Sequence, residues 1–113
     1  MQMFQLEEVI AEMSATKRAW QEFLRVPALS LGIYRLRAGD TDNQQPHTED
    51  EVYYVISGRA QFRAGGEERA VPPGTILFVE RNVEHRFFDI TEDLTILVFF
   101  APAEHSLKHA AGK

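Results

Sequence analysis

The chain has 113 residues, 12 basic and 17 acidic, for a formal charge of −5 and an apolar share of 44%. That suffices for one domain, read as residues 1–113, with a core of its own. Cysteine is absent, which excludes disulfides, thiolate ligands and cysteine nucleophiles. No stripe of Lys and Arg is present, which argues against nucleic acid and against an anionic membrane surface as partners.

The opening MQMFQLEEVIAEM lacks the basic start and apolar core of a signal peptide. No apolar run approaches the roughly 18 residues of a spanning helix, so a cytoplasmic location is expected. Leu6, Val9, Ile10 and Met13 recur at helical spacing, with Glu7, Glu8 and Glu12 off the stripe. The acids come early and Lys17 and Arg18 late, as the helix dipole prefers. The spacing predicts a short N-terminal helix from about Leu6 to about Thr16, laid over a sheet from outside. WQEFLRV, ending at Pro27, reads as more helix or as a strand; as a strand it is able to extend a partner's sheet.

From Ala28 the pattern is β. ALSLGIYRLRAG alternates up to a Gly–Asp turn, and EVYYVISG runs to Gly58. RAQFRAGGEERAV predicts two short strands about Gly65–Gly66, and Pro72–Pro73–Gly74 a turn. TILFVE, EHRFFDI and DLTILVFFAP complete seven or eight strands, and Glu104 to Lys113 is expected to be a frayed polar tail. No helix falls between strands, so the expected fold is all-β: an antiparallel sandwich or jelly roll that closes its own edges. A chain this short gains stability by pairing, so a homodimer is expected.

His105 and His109, in the tail, are read as surface histidines. His47 lies in the turn QQPHTEDEVYYV and His85 in NVEHRFF, where a turn meets a strand. Period-two alternation puts Gln45 with His47 on one side, if that stretch is extended. It puts Glu51 on the face of Tyr53, Val55 and Ser57. A carboxylate inside a barrel is costly unless it is paired or coordinated. Two imidazoles and one carboxylate suit one divalent transition metal: Mn, Fe, Co, Ni or Zn. Spacing alone leaves open the plainer reading of a solvated loop. Tyr53 and Phe87 are expected at the pocket, as wall or core. Arg35 and Arg37 share a face, and if it is the inner one Arg35 would pair with an anionic ligand. Glu49 and Asp50 are expected to be exposed.

The stretch GDTDNQQPHTEDEVYYVISG, Gly39 to Gly58, resembles the first motif of the cupin family, G-x5-H-x-H-x3-E-x6-G. His47, Glu51 and both glycines match; Gln45 stands at the first histidine. GTILFVERNVEHRFFD, Gly74 to Asp89, resembles the second, G-x5-P-x-G-x2-H-x3-N, with Glu80, Asn82 and Asp89 replacing the proline, glycine and asparagine. The resemblance, to small conserved-barrel cupins, spans about Leu29 to Pro102 and implies an antiparallel double-stranded β-helix enclosing one metal. Carried over, the ligands are His47, Glu51 and His85, with Gln45 as a fourth or as the holder of a metal-bound water. The activities implied are oxygenation, isomerisation or decarboxylation of a small organic molecule. A binding or sensor barrel without turnover, and a metal-free structural barrel, are the alternatives.

Overall fold

The structure is a computed structural model that describes residues 1–107. The order of elements is α1 (Leu6–Ser14), β1 (Trp20–Val26), β2 (Leu29–Leu36), β3 (Asp50–Ala64), β4 (Glu67–Ala70), β5 (Ile76–Val79) and β6 (His85–Ala101). All pairings are antiparallel, in the order β1-β2-β6-β3-β4, with β5 also on β3. No helix among the described residues is long and apolar enough to cross a membrane.

The frame is a long ribbon of β3 and β6, paired from Asp50↔Ala101 to Ala64↔His85. EVYYVISG and the strand after it are therefore one element, as are EHRFFDI and DLTILVFFAP. Bulges carry the chain through the positions read as strand ends. Register shifts run from Val55 to Gln61, around Gly58 at φ 100°, and Asp89 sits at φ 48°. A bulge bends and twists a strand without ending it. The bent ribbon turns both of its ends onto one core, which joins Tyr53, Val55, Ile96 and Val98 to Phe62, Val71, Phe87 and Ile90. Asn82, at the glycine position of the second motif, takes φ 63°, a left-handed conformation that Asn tolerates better than most residues.

WQEFLRV is strand β1, and it pairs with β2 of its own chain, from Trp20↔Tyr34 to Val26↔Leu29. Pro27 and Ala28 form the connecting turn, where proline's fixed φ suits the first central position. β1 stands at the end of the strand order, with β2 as its one neighbour among the described residues. On β2 the inner face carries Ser30, Gly32, Tyr34 and Leu36, while Ile33 faces α1. The helix buries Val9 and Met13 against Ile33, with Phe23, Ile56 and Leu97 around them. It stops at Ser14, two residues short of the predicted end.

The bend depends on Gly58. A Cβ there would lie 2.3 Å from the Asp93 carbonyl oxygen, on a backbone L side chains rarely adopt. Gly58→Ala should cost roughly 1–3 kcal/mol, seen as a lower urea midpoint. Gly66→Ala, where a Cβ meets nothing within 4 Å, should leave the midpoint nearly unchanged.

Candidate metal centre

Alternation along β3 sends Glu51, Tyr53 and Val55 inward together, and all three are buried. β6 opens with His85 and Phe87 on its inner face, both buried. His47 arrives from the loop between β2 and β3, held where its carbonyl accepts the Asn82 amide at 2.7 Å. His47 Nδ1 lies 2.7 Å and His85 Nε2 3.4 Å from Glu51 Oε1. One ligand atom from each of the three residues falls within 4.8 Å of the others.

These atoms suit a cation. The Nδ1 approach to Glu51 is short but lies off the line of a hydrogen bond. Among the described residues, neither His47 Nδ1 nor Glu51 Oε2, both buried, has a hydrogen-bond partner. Buried polar atoms are rarely left this way unless something else engages them. Both rings are oriented from behind, as ligating histidines usually are. His85 Nδ1 donates to the Val83 carbonyl at 2.9 Å, which leaves the Nε2 lone pair facing Glu51. His47 Nε2 faces Glu104 Oε2 at 3.4 Å. Burial pulls the His47 pKa down, but the Glu104 and Glu51 carboxylates beside it outweigh that and raise it to about 9. Without a metal, a proton on His47 does part of a cation's work.

Tyr53 completes the floor. Burial, then the charge of Glu51, raises its hydroxyl pKa well above the usual value, so it stays protonated and donates. It lies 2.8 Å from His85 Nε2 and 3.1 Å from Gln44 Oε1. The amide oxygen thus gives the hydroxyl a second acceptor if His85 is otherwise engaged.

Gln44, not Gln45, reaches the site; Gln45 is exposed. The cause is Asp42, which is buried and accepts from the Tyr34 hydroxyl and the Phe87 amide, each at 2.8 Å. It also accepts from the Gln44 side chain at 2.9 Å, so the loop is pinned to β6 with Gln44 turned inward. Arg35 is likewise corrected as a pocket residue: it shares the outer face of β2 with Ile33, and its guanidinium donates to Ser14 Oγ at 2.8 Å. Phe87 lies in the core behind Tyr53 and against Phe62, with ring centroids 5.5 and 4.6 Å away.

Four acids depart from the sequence reading or escape it. Asp42 was missed. Glu49, expected to be exposed, is buried, and accepts from the Thr48 hydroxyl and the amides of His105 and Leu107. Those bonds fasten the first part of the supposed frayed tail. Glu104 is the third, set beside His47 because its amide donates to Ser30 Oγ at 2.9 Å and its carbonyl accepts from Arg25 at 2.7 Å. Asp50 is half-buried and accepts from the Arg81 amide at 2.8 Å. His105 is exposed, as read; His109 lies outside the described residues. A cavity of about 170 Å³ opens beside the centre, lined by Trp20, Tyr34, Gln44, His47, Val98, Phe100 and Glu104.

Glu49→Ala should free the segment after Ala103. Hydrogen exchange at His105 and Leu107 should accelerate by the equivalent of about 1–3 kcal/mol, the range for bonds to a charged acceptor. Unchanged protection at both amides would show that the segment is held by other contacts.

The family model described as the cupin domain matches residues 32–100, more than half of the chain. An uncharacterised protein of Streptomyces coelicolor is 46% identical over 104 residues, covering 92% of this chain and 99% of that one. A solved structure from Thermus thermophilus superposes with a TM-score of 0.69 at 22% identity, covering 91% of this chain and 99% of that one. An RmlC-like protein with a double-stranded β-helix from Methanocaldococcus jannaschii gives 0.66 at 18% identity, covering 74% and 78%. At those identities the two structures establish likeness of fold alone.

Proposed function

The chain belongs to the cupin family, and we propose that it is a metal-dependent cupin acting on a small organic molecule. The observation that carries this reading is the convergence of His47 Nδ1 and His85 Nε2 on the Glu51 carboxylate, with His47 Nδ1 and Glu51 Oε2 buried without a hydrogen-bond partner among the described residues. His47, Glu51 and His85 would hold one divalent transition metal, Mn, Fe, Co, Ni or Zn. Such an ion supplies Lewis-acid chemistry at a substrate oxygen or, if redox-active, electron transfer for oxygenation.

The protein's own groups do the rest. Glu51 provides the only formal negative charge among the three ligands. Val83 and Glu104 orient the two rings. Tyr53 and Gln44 present a hydroxyl and an amide beside the centre. Trp20 and Phe100, edge-to-face at 6.0 Å, keep one wall of the cavity apolar and limit water. Oxygenation and isomerisation both fit this set. A binding or sensor role without turnover is favoured by one observation: Gln45 stands at the motif's first histidine and is exposed, so no third imidazole faces the centre from that position.

Elemental analysis of untagged protein, purified without added metal or reconstituted, tests the centre. We expect one metal per chain, lost in His47→Ala. Glu51→Gln should weaken binding by more than the roughly 10–100-fold typical of losing a group that only orients a ligand. Metal near zero after reconstitution with each of the five ions would sink the proposal.

A cytoplasmic homodimer is part of the same proposal. Tyr54, Ile76 and Phe78 form an exposed apolar patch on the outer face of β3 and β5, the last two 69% and 66% exposed. Sedimentation should give twice the 12.9 kDa chain mass at micromolar concentration. Tyr54→Lys with Phe78→Lys should return the monomer, whereas a wild-type monomer at all concentrations would rule the dimer out.

A further inference from the structure

We propose that the cavity beside the metal centre recognises a small organic cation, an ammonium group of about trimethylammonium size, through the Glu104 carboxylate and the rings of Trp20, Tyr34 and Phe100. This deepens the functional reading above and rests on that cavity being the ligand site.

The walls supply the first argument. Three aromatic side chains and Val98 line about 170 Å³, and among the described residues no Lys or Arg joins them. Ring faces attract cations, quaternary ammonium groups above all. The volume suits a compact head group and falls below the range for drug-sized ligands.

Charge supplies the second. The Glu104 side chain is 13% exposed, and its neighbours are two imidazoles, His47 Nε2 at 3.4 Å and His105 Nε2 at 3.5 Å. Glu51 and Asp42 lie just beyond, the latter bonded to the Tyr34 that forms one wall. Three carboxylates outnumber the charge of a proton on His47 or of a divalent ion at the centre, so a cation entering here would find compensation that an anion would not. Arg35, the basic group that would have suited an anionic ligand, lies on the far face of β2 against Ser14. Arg25 is spent on the backbone carbonyl of Glu104 and on Glu22.

Construction supplies the third. Glu104 is held in place by its own amide on Ser30, by its carbonyl on Arg25, and by Glu49 gripping the next residue. Trp20 lies over Gly32, where a Cβ would meet the ring at 2.2 Å. Both Trp20 and Glu104 fall outside residues 32–100, the span shared with the family.

Trp20 is the only tryptophan, so its fluorescence reports on the cavity. Full-length protein, metal-free and reconstituted, is titrated with three probes of one shape: choline, its neutral isostere 3,3-dimethylbutan-1-ol, and the anion 3,3-dimethylbutyrate. Calorimetry repeats each titration. Choline should bind saturably and at least roughly tenfold more tightly than the alcohol, with the anion weakest. Glu104→Gln should abolish the preference for choline over the alcohol, and Glu104→Asp should keep it. Equal binding of choline and alcohol, tighter binding of the anion, no binding of any probe, or a preference that survives in Glu104→Gln would each overturn the proposal. Metal content, measured on the same samples, separates the two readings. A cation preference without metal spares this inference and sinks the metal centre; stoichiometric metal without the preference does the reverse.

Discussion

The Glu51 carboxylate is 2% exposed inside an apolar barrel, and one of its oxygens has no partner. Removing such a charge from water costs several kcal/mol unless something compensates it. The strand cannot avoid this by shifting register. Tyr53 and Val55 fill the core on the same face, and a slip of one residue would bury Val52, Tyr54 and Ile56 in their place. The packing that stabilises the barrel therefore forces the acid inward. His47 and His85, arriving from a loop and from the start of β6, sit where they offset its charge by proton or by metal.

Much of this was legible in the sequence because it is local. Alternation along EVYYVIS placed Glu51 with Tyr53 and Val55, and the stripe of Val9 and Met13 marked the covering helix. The rest depended on contacts between residues distant in sequence. Alternation paired Arg35 with Arg37 but had no means of choosing a face; Ile33 packing under α1 chose the outer one. Gln45 was placed inward by assuming an extended strand, yet residues 37–49 belong to no strand. There the buried Asp42 sets the orientation and brings in Gln44. Glu49 and Glu104 meet their partners across 56 and 74 residues, beyond any local pattern. The strand count was too high because Gly58 and Asp89 look like ends when they are bends.

The two chain segments flanking the family core meet at the same mouth. β1 brings Trp20 over Gly32, and the chain after β6 brings Glu104 over Ser30. Arg25 on β1 ties them together through the Glu104 carbonyl. The barrel frame thus fixes His47, Glu51 and His85, while the edge hairpin and the segment after β6 supply the walls of the cavity beside them. Such a division lets one scaffold serve many ligands, since the mouth can change without disturbing the register that buries Glu51.

The three buried carboxylates allow a sharper distinction. Asp42 accepts from Tyr34, from Phe87 and from the Gln44 backbone and side chain, and both of its oxygens are used. Glu49 accepts from Thr48, His105 and Leu107, again on both oxygens. This chain therefore supplies hydroxyls and amides to buried acids wherever the acid serves to fasten a loop. Glu51 is as deeply buried as either, yet its Oε2 accepts no hydrogen bond from any of the described residues. Its neighbours are the Tyr53 hydroxyl and two imidazole nitrogens, which are able to offset its charge by a proton or by sharing an ion. Glu51 departs from that pattern, and its open oxygen is what favours the ion proposed for this site.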